Sequence, residues 1–97
     1  MATLQQITLL RVDLGLMRLT DDQKTYFGAL LDTAASAVAR EGVVLTEGNL
    51  EDDTLIEMWA AWLYRKRRTE TDAPMPRMLR IAINDRIAAQ KMAVTST

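Results

Sequence analysis

Behind Trp59, Trp62 and Tyr64 the chain runs straight into Arg65, Lys66, Arg67 and Arg68, in the stretch MWAAWLYRKRR. Four cations beside two large apolar rings have three chemical uses. They can neutralise the phosphates of a nucleic acid, dock on an acidic protein surface, or complement the dipole at a solvated helix end. Helical geometry bears on the choice. At about 100° per residue, with Trp59 at zero, Lys66 falls at about 340°, Arg67 at about 80°, Arg68 at about 180° and Arg65 at about 240°. The charges form a collar around the helix, whereas a groove-tracking helix presents its cations along one side. Trp59 and Trp62 share a stripe with Leu55 and Leu63, so they read as core residues before they read as a ligand platform. Lys66 lies on that side too, where its stem can cover a tryptophan face.

Other chemistry is scarce. The chain has no histidine and no cysteine. The commonest general base, the usual zinc ligands and the thiol nucleophile are therefore missing, and disulfides are excluded. Thirteen acidic residues leave carboxylate-only catalysis open, but most of them fall at apparent helix starts, where they complement the dipole. Gly15, Gly28, Gly42 and Gly48 stand alone, so no phosphate-cradling loop is present. The expectation is a protein without enzymatic activity, cofactor or metal.

Composition points the same way. Ninety-seven residues with 48% hydrophobic content make one domain, and a formal net charge of −1 argues against a general polyanion binder. A chain of this size buries only about 60–65% of its unfolded surface, a limit that oligomerisation often relieves. No apolar run approaches the roughly 20 residues that cross a bilayer, and no signal-peptide pattern opens the chain. Synthesis and folding in a reducing cytoplasm, with no membrane association, is the expectation.

The elements that must position these residues are helices, and the predicted fold class is a small all-α bundle. The first helix spans residues 4–14, with Leu4, Ile7, Leu10 and Leu14 as its apolar face and Gly15 as its stop. The second spans 21–41. It opens with a capping box, Thr20-Asp21-Asp22-Gln23, and closes on Gly42. Its Ala34-Ala35-Ser36-Ala37 stretch permits close helix approach, and Gly28 marks either a tight contact or a tolerated weak residue. Residues 43–46 form a short extended connector. The third helix, 51–68, carries Leu55, Ile56, Trp59, Trp62 and Leu63 on one stripe. Thr69 to Pro74 read as a loop, Pro76 as the first position of a fourth helix over 76–91, and residues 93–97 as a flexible tail.

The fourth helix places Arg77, Arg80, Asn84 and Lys91 on a polar face, with Met75, Met78, Leu79, Ala82 and Ile83 opposite. Arg86 falls within the apolar face. A buried cation without a partner costs several kcal/mol. Arg86 must therefore meet a carboxylate of another helix, reach another chain, or snorkel to water from an edge.

Taken together, DDTLIEMWAAWLYRKRRTE, a short loop and MPRMLRIAINDRI resemble the head–tail connector (head-completion adaptor) proteins of long-tailed bacteriophages. The likeness is best from Leu50 to Ile87 and looser from Thr20 to Gly42. The resemblance implies a structural virion protein of the neck that assembles as a ring beneath the portal. It would extend the DNA channel and carry the next neck or tail-completion protein. Its partners would be the portal, that next component, further copies of itself in a cyclic homo-oligomer, and passing genomic DNA without sequence-specific contacts. Interface candidates on this reading are Arg65, Lys66, Arg67, Arg68, Arg77 and Arg80.

The residues themselves are compatible with a ring. Glu51, Asp52 and Asp53 stand at one end of the third helix and the collar at the other, so unlike charges can meet head to tail, with Arg86 a further contact candidate. The alternative is a small helical DNA-binding protein, a regulator or packaging accessory that uses the fourth helix. A helical partner-binding protein outside any virion differs from the connector only in context.

Overall fold

In the computed structural model, residues 2–69 and 74–95 are described; the side chains of residues 68, 69, 94 and 95 are outside that description. Four helices make up the fold: α1 Leu4–Asp13, α2 Asp21–Arg40, α3 Leu50–Thr69 and α4 Arg77–Thr95. No strand occurs among the described residues, and residues 43–46 form an irregular connector. The fold is all-α.

Each helix begins for a local reason, and α1 and α2 also end for one. At α2 the Thr20 hydroxyl accepts from the Gln23 N–H at 3.1 Å, and the side-chain Oε1 of Gln23 accepts from the Thr20 N–H at 2.8 Å. The same reciprocal box, Thr3 with Gln6, starts α1. Asn49 caps α3: its Oδ1 accepts from the Asp52 N–H at 3.0 Å. Gly15, Gly42 and Gly48 have φ of 73°, 113° and 81°, the left-handed region that non-glycine residues avoid. α4 begins at Arg77, with the Pro76 carbonyl accepting from Arg80 N–H. It runs to Thr95, beyond the expected end at 91, so the first residues of the expected flexible tail continue the helix. Residues 96–97 of that tail, and residues 70–73 of the expected loop, lie outside the described residues.

α3 is the central element, and two cores meet along it. The first joins Leu10 of α1, Phe27, Leu30, Leu31 and Ala34 of α2, and Ile56, Ala60 and Ala61 of α3. Small residues on both α2 and α3 bring those helices together, as the alanine stretch predicts. The second core joins Val38, Val43, Leu55, Leu79 and Ile83, and so attaches α4. Trp59 packs against both cores, and Trp62 stacks edge-on to it at 5.5 Å between ring centroids. The tryptophans are core-facing residues, as their stripe indicates.

Three details differ from the sequence reading. Leu4 is 79% exposed, and Gln6 takes its place inside, because α1 turns its amides toward a buried acid on α3. Met78 is 75% exposed: of the supposed apolar face Leu79 and Ile83 are buried and Met75 and Ala82 pack half-buried against the second core, while Met78 lies outside it. Gly28 is not at a tight contact, because a Cβ built there would meet nothing within 4 Å. It is the tolerated weak residue.

Candidate functional site

α3 carries charge at both ends, and the ends are built differently. At the N-terminal end Asp52 and Asp53 are both buried. Asp52 Oδ1 accepts from Arg86 Nε at 2.9 Å, and its Oδ2 accepts from the Thr46 N–H at 2.9 Å. Asp53 Oδ1 accepts from Gln6 Nε2 at 2.8 Å, and its Oδ2 accepts from Gln5 Nε2. Both carboxylates sit in the first turns of α3, where the helix dipole favours negative charge. They are internal fasteners, and of the three acids only Glu51, 74% exposed, projects to the surface.

Arg86 meets carboxylates of another helix, the first of the fates open to it. Its Nη1 donates to Glu51 Oε2 at 3.1 Å, while its Nε serves Asp52. The hydrogen bond to Asp52 raises the guanidinium pKa above its already high value, so the charge is permanent. The side chain remains 20% exposed. α4 is thus tied to α3 by an ion pair whose acid is fully enclosed.

At the C-terminal end the collar cations are anchored but not enclosed. Arg65 Nη2 donates to Asp13 Oδ1 and to the Asp13 carbonyl, each at 3.4 Å. Lys66 Nζ lies 5.3 Å from the Trp62 ring centroid, as its angular position predicts. The Arg67 guanidinium lies 5.7 Å from the Tyr26 ring. Such cation–π contacts are worth about 0.5–1 kcal/mol at exposed sites. Arg68 belongs to α3, and its side chain is outside the described residues. Arg77 is exposed, and Arg80 forms an ion pair with Glu41 at the end of α2. The structure therefore brings Arg65, Lys66 and Arg67 together around one helix end. It sets Arg80 and Arg86 on separate attachments to α2 and α3.

Glu57 is the residue that sequence reasoning missed. It is buried between α1 and α3, and its Oε1 has no hydrogen-bond partner. Burial, reinforced by a hydrogen bond with Asp13, pushes its carboxyl up to about 8. That same bond holds the Asp13 carboxyl below its ordinary value. The arrangement is a carboxylic acid donating to a carboxylate, with Arg65 on the far side of the pair. No apolar stripe marked it, because at about 100° per residue Glu57 falls on the side of α3 away from Leu55, Trp59 and Leu63. Only the fold shows what it faces.

A groove of about 500 Å³ opens between α3 and α4, lined by Leu50, Leu55 and Met58 on one wall and Ala82 and Ala89 on the other. Among the described residues no group of three or more His, Cys, Asp or Glu side chains is arranged to hold a metal, and no helix is long and apolar enough to cross a membrane. Compared with family models, curated proteins and solved structures, the chain matches none.

Proposed function

We propose that this chain is a structural virion protein that forms a ring beneath the portal, extends the DNA channel and joins the head to the neck and tail. The observation that supports the reading most is the collar. Its described cations project from the end of a rigid helix, each held by a contact inside the subunit, so little side-chain freedom is lost when an acidic surface docks there. α3 sets this end about 30 Å from Glu51 at its other end, at 1.5 Å per residue over 20 residues. Exposed unlike charges at opposite ends suit a head-to-tail contact of the kind that closes into a cyclic ring. The role is architectural, without a reaction or a cofactor.

The test reverses part of the collar. Arg65 is a poor choice, because Arg65→Glu would set a third acid beside Asp13 and Glu57. Arg67→Glu with Arg68→Glu should leave the fold within about 0.5–1 kcal/mol of the parent. It should abolish ring formation on the portal, measured as mass over a concentration series with and without portal, because like charges across a contact cost several kcal/mol. In infection, heads carrying the variant should fill but fail to join tails. Unimpaired head–tail joining by the variant would sink the proposal. So would tight binding of random DNA by the parent, with affinity falling steeply in salt, because that would mark a nucleic-acid-binding protein.

A further inference from the structure

We infer that the groove between α3 and α4 receives a basic amphipathic helical segment of a partner protein. The groove, at about 500 Å³, has an apolar floor, and its size is within the common range for ligand-binding clefts. Its apolar character continues onto the surface: Leu50, Met78 and Ile81 are exposed large hydrophobic residues. On α4, Met78, Ile81, Ala82, Asp85 and Ala89 fall within about 100° of arc, at the spacing along which one helix packs on another. The facing wall includes Met58, an unbranched side chain that can refit to different partners. Contiguous exposed apolar surface of this kind marks an interaction site.

Charge selects the occupant. Around the groove stand Glu51, Asp85 and Arg86. Arg86 is the one cation among these groups and is shared by enclosed Asp52 and exposed Glu51. With Asp85 the lip therefore carries a net negative charge, and Asp85 is its exposed carboxylate outside the ion pair. Asp85 sits in the middle of the exposed α4 face. A second copy laid antiparallel on that face would bring two Asp85 carboxylates together, which disfavours self-pairing. A helix with apolar anchors three and four residues apart, flanked by lysine or arginine, satisfies both floor and lip. This inference does not rest on ring assembly. The groove lies at the end of α3 opposite the collar. It shares Glu51 with the acidic end used in the ring reading, whereas Asp85 and Ala89, where the test substitutions fall, belong to the groove alone.

The test uses the full chain and two synthetic 14-residue helical peptides. Both carry leucines at identical positions, and their polar positions are all lysine in one and all glutamate in the other. Fluorescence anisotropy at low salt should show the lysine peptide binding at least about ten-fold more tightly than the glutamate peptide. Ala89→Trp, a substitution at an exposed position that fills the groove, should weaken the lysine peptide by about ten-fold or more with the helical circular dichroism retained. Asp85→Lys should remove most of the preference between the peptides. Methyl NMR of the methionines locates the contact independently of any variant: Met58 and Met78 should shift, while Met17, 93% exposed on the loop after α1, should not. Equal affinity for both peptides would overturn the inference. Shifts spread over all methionines, or no effect of Ala89→Trp, would do the same. Self-association that Ala89→Trp abolishes would assign the groove to a second copy instead.

Discussion

Asp52 and Asp53 are adjacent in the chain, yet α3 delivers them to two different seams. Asp53 faces α1 and is held by the neutral amides of Gln5 and Gln6. Asp52 faces α4 and is held by a guanidinium and a backbone N–H. One turn further on, the α1 seam adds Glu57 and Asp13, an acid pair that shares a proton. The α4 seam has a permanent cation and an open apolar groove. One helix attachment is therefore governed by protonation, and the other by a charge that no ordinary pH removes.

The largest expected effect breaks the α4 seam. Arg86→Ala strands Asp52 without its counter-charge and should cost about 3–5 kcal/mol in urea unfolding. Arg86→Met keeps the aliphatic volume and should cost less than alanine. Equal, negligible losses from both would mean that the ion pair does not hold α4.

A second effect belongs to the α1 seam and depends on pH. The folded Glu57 carboxyl titrates near 8, against 4.5 in an unperturbed chain. Between those values the folded protein keeps a proton that the unfolded chain releases, so stability should fall as pH rises from about 4.5 to about 8. The drop is on the order of a few kcal/mol, at about 1.4 kcal/mol per pH unit. Glu57→Gln retains a donor toward Asp13 and should flatten the profile, leaving the variant more stable than the parent at pH 9. Thermal midpoints at pH 5 and pH 9 decide it, and parallel profiles would remove the shared proton from the account.

Asp53→Asn sharpens the contrast between neighbours. The new amide can accept from only one of the two glutamine donors, so one is left unsatisfied at a cost of about 1–3 kcal/mol. The loss should persist across the pH range in which the Glu57 effect changes. The smallest effect lies outside both seams and has the opposite sign. Gly28→Ala meets open space in mid-helix and should stabilise the fold by about 1 kcal/mol. A loss there would reveal a contact that a subunit alone does not contain.

The helices were legible in the sequence because their signals are local. The Thr20–Gln23 box, the glycines after α1 and α2, and the alanine face of α2 each act within one or two turns. The collar angles followed from α3 being helical, and Lys66 indeed covers Trp62. What periodicity misread was polarity that faces inward. Gln6 sits inside because Asp53, 47 residues later, needs a donor. Glu57 sits inside because Asp13 takes its hydrogen bond. Apolar spacing likewise assigned Leu4 and Met78 to the interior, since it cannot say how wide a face the neighbouring helix covers. Pairings across the chain depend on helix placement, and no local pattern encodes that.

The connector after α2 has its own tie to α4. The Val44 N–H donates to Gln90 Oε1 at 2.9 Å, and Gln90 Nε2 donates to the Val44 carbonyl at 2.8 Å. A side-chain amide thus takes the place of a paired strand, on a residue whose own side chain is exposed. Amide exchange with solvent deuterium at Val44 then requires Gln90 to let go, and the seating of α4 sets how much of the time Gln90 is in reach to hold it. A ligand that clamps the far side of α4 should slow exchange at this single amide, and one that prises the helix away should speed it. Val44 is a built-in gauge of whether the fourth helix is seated.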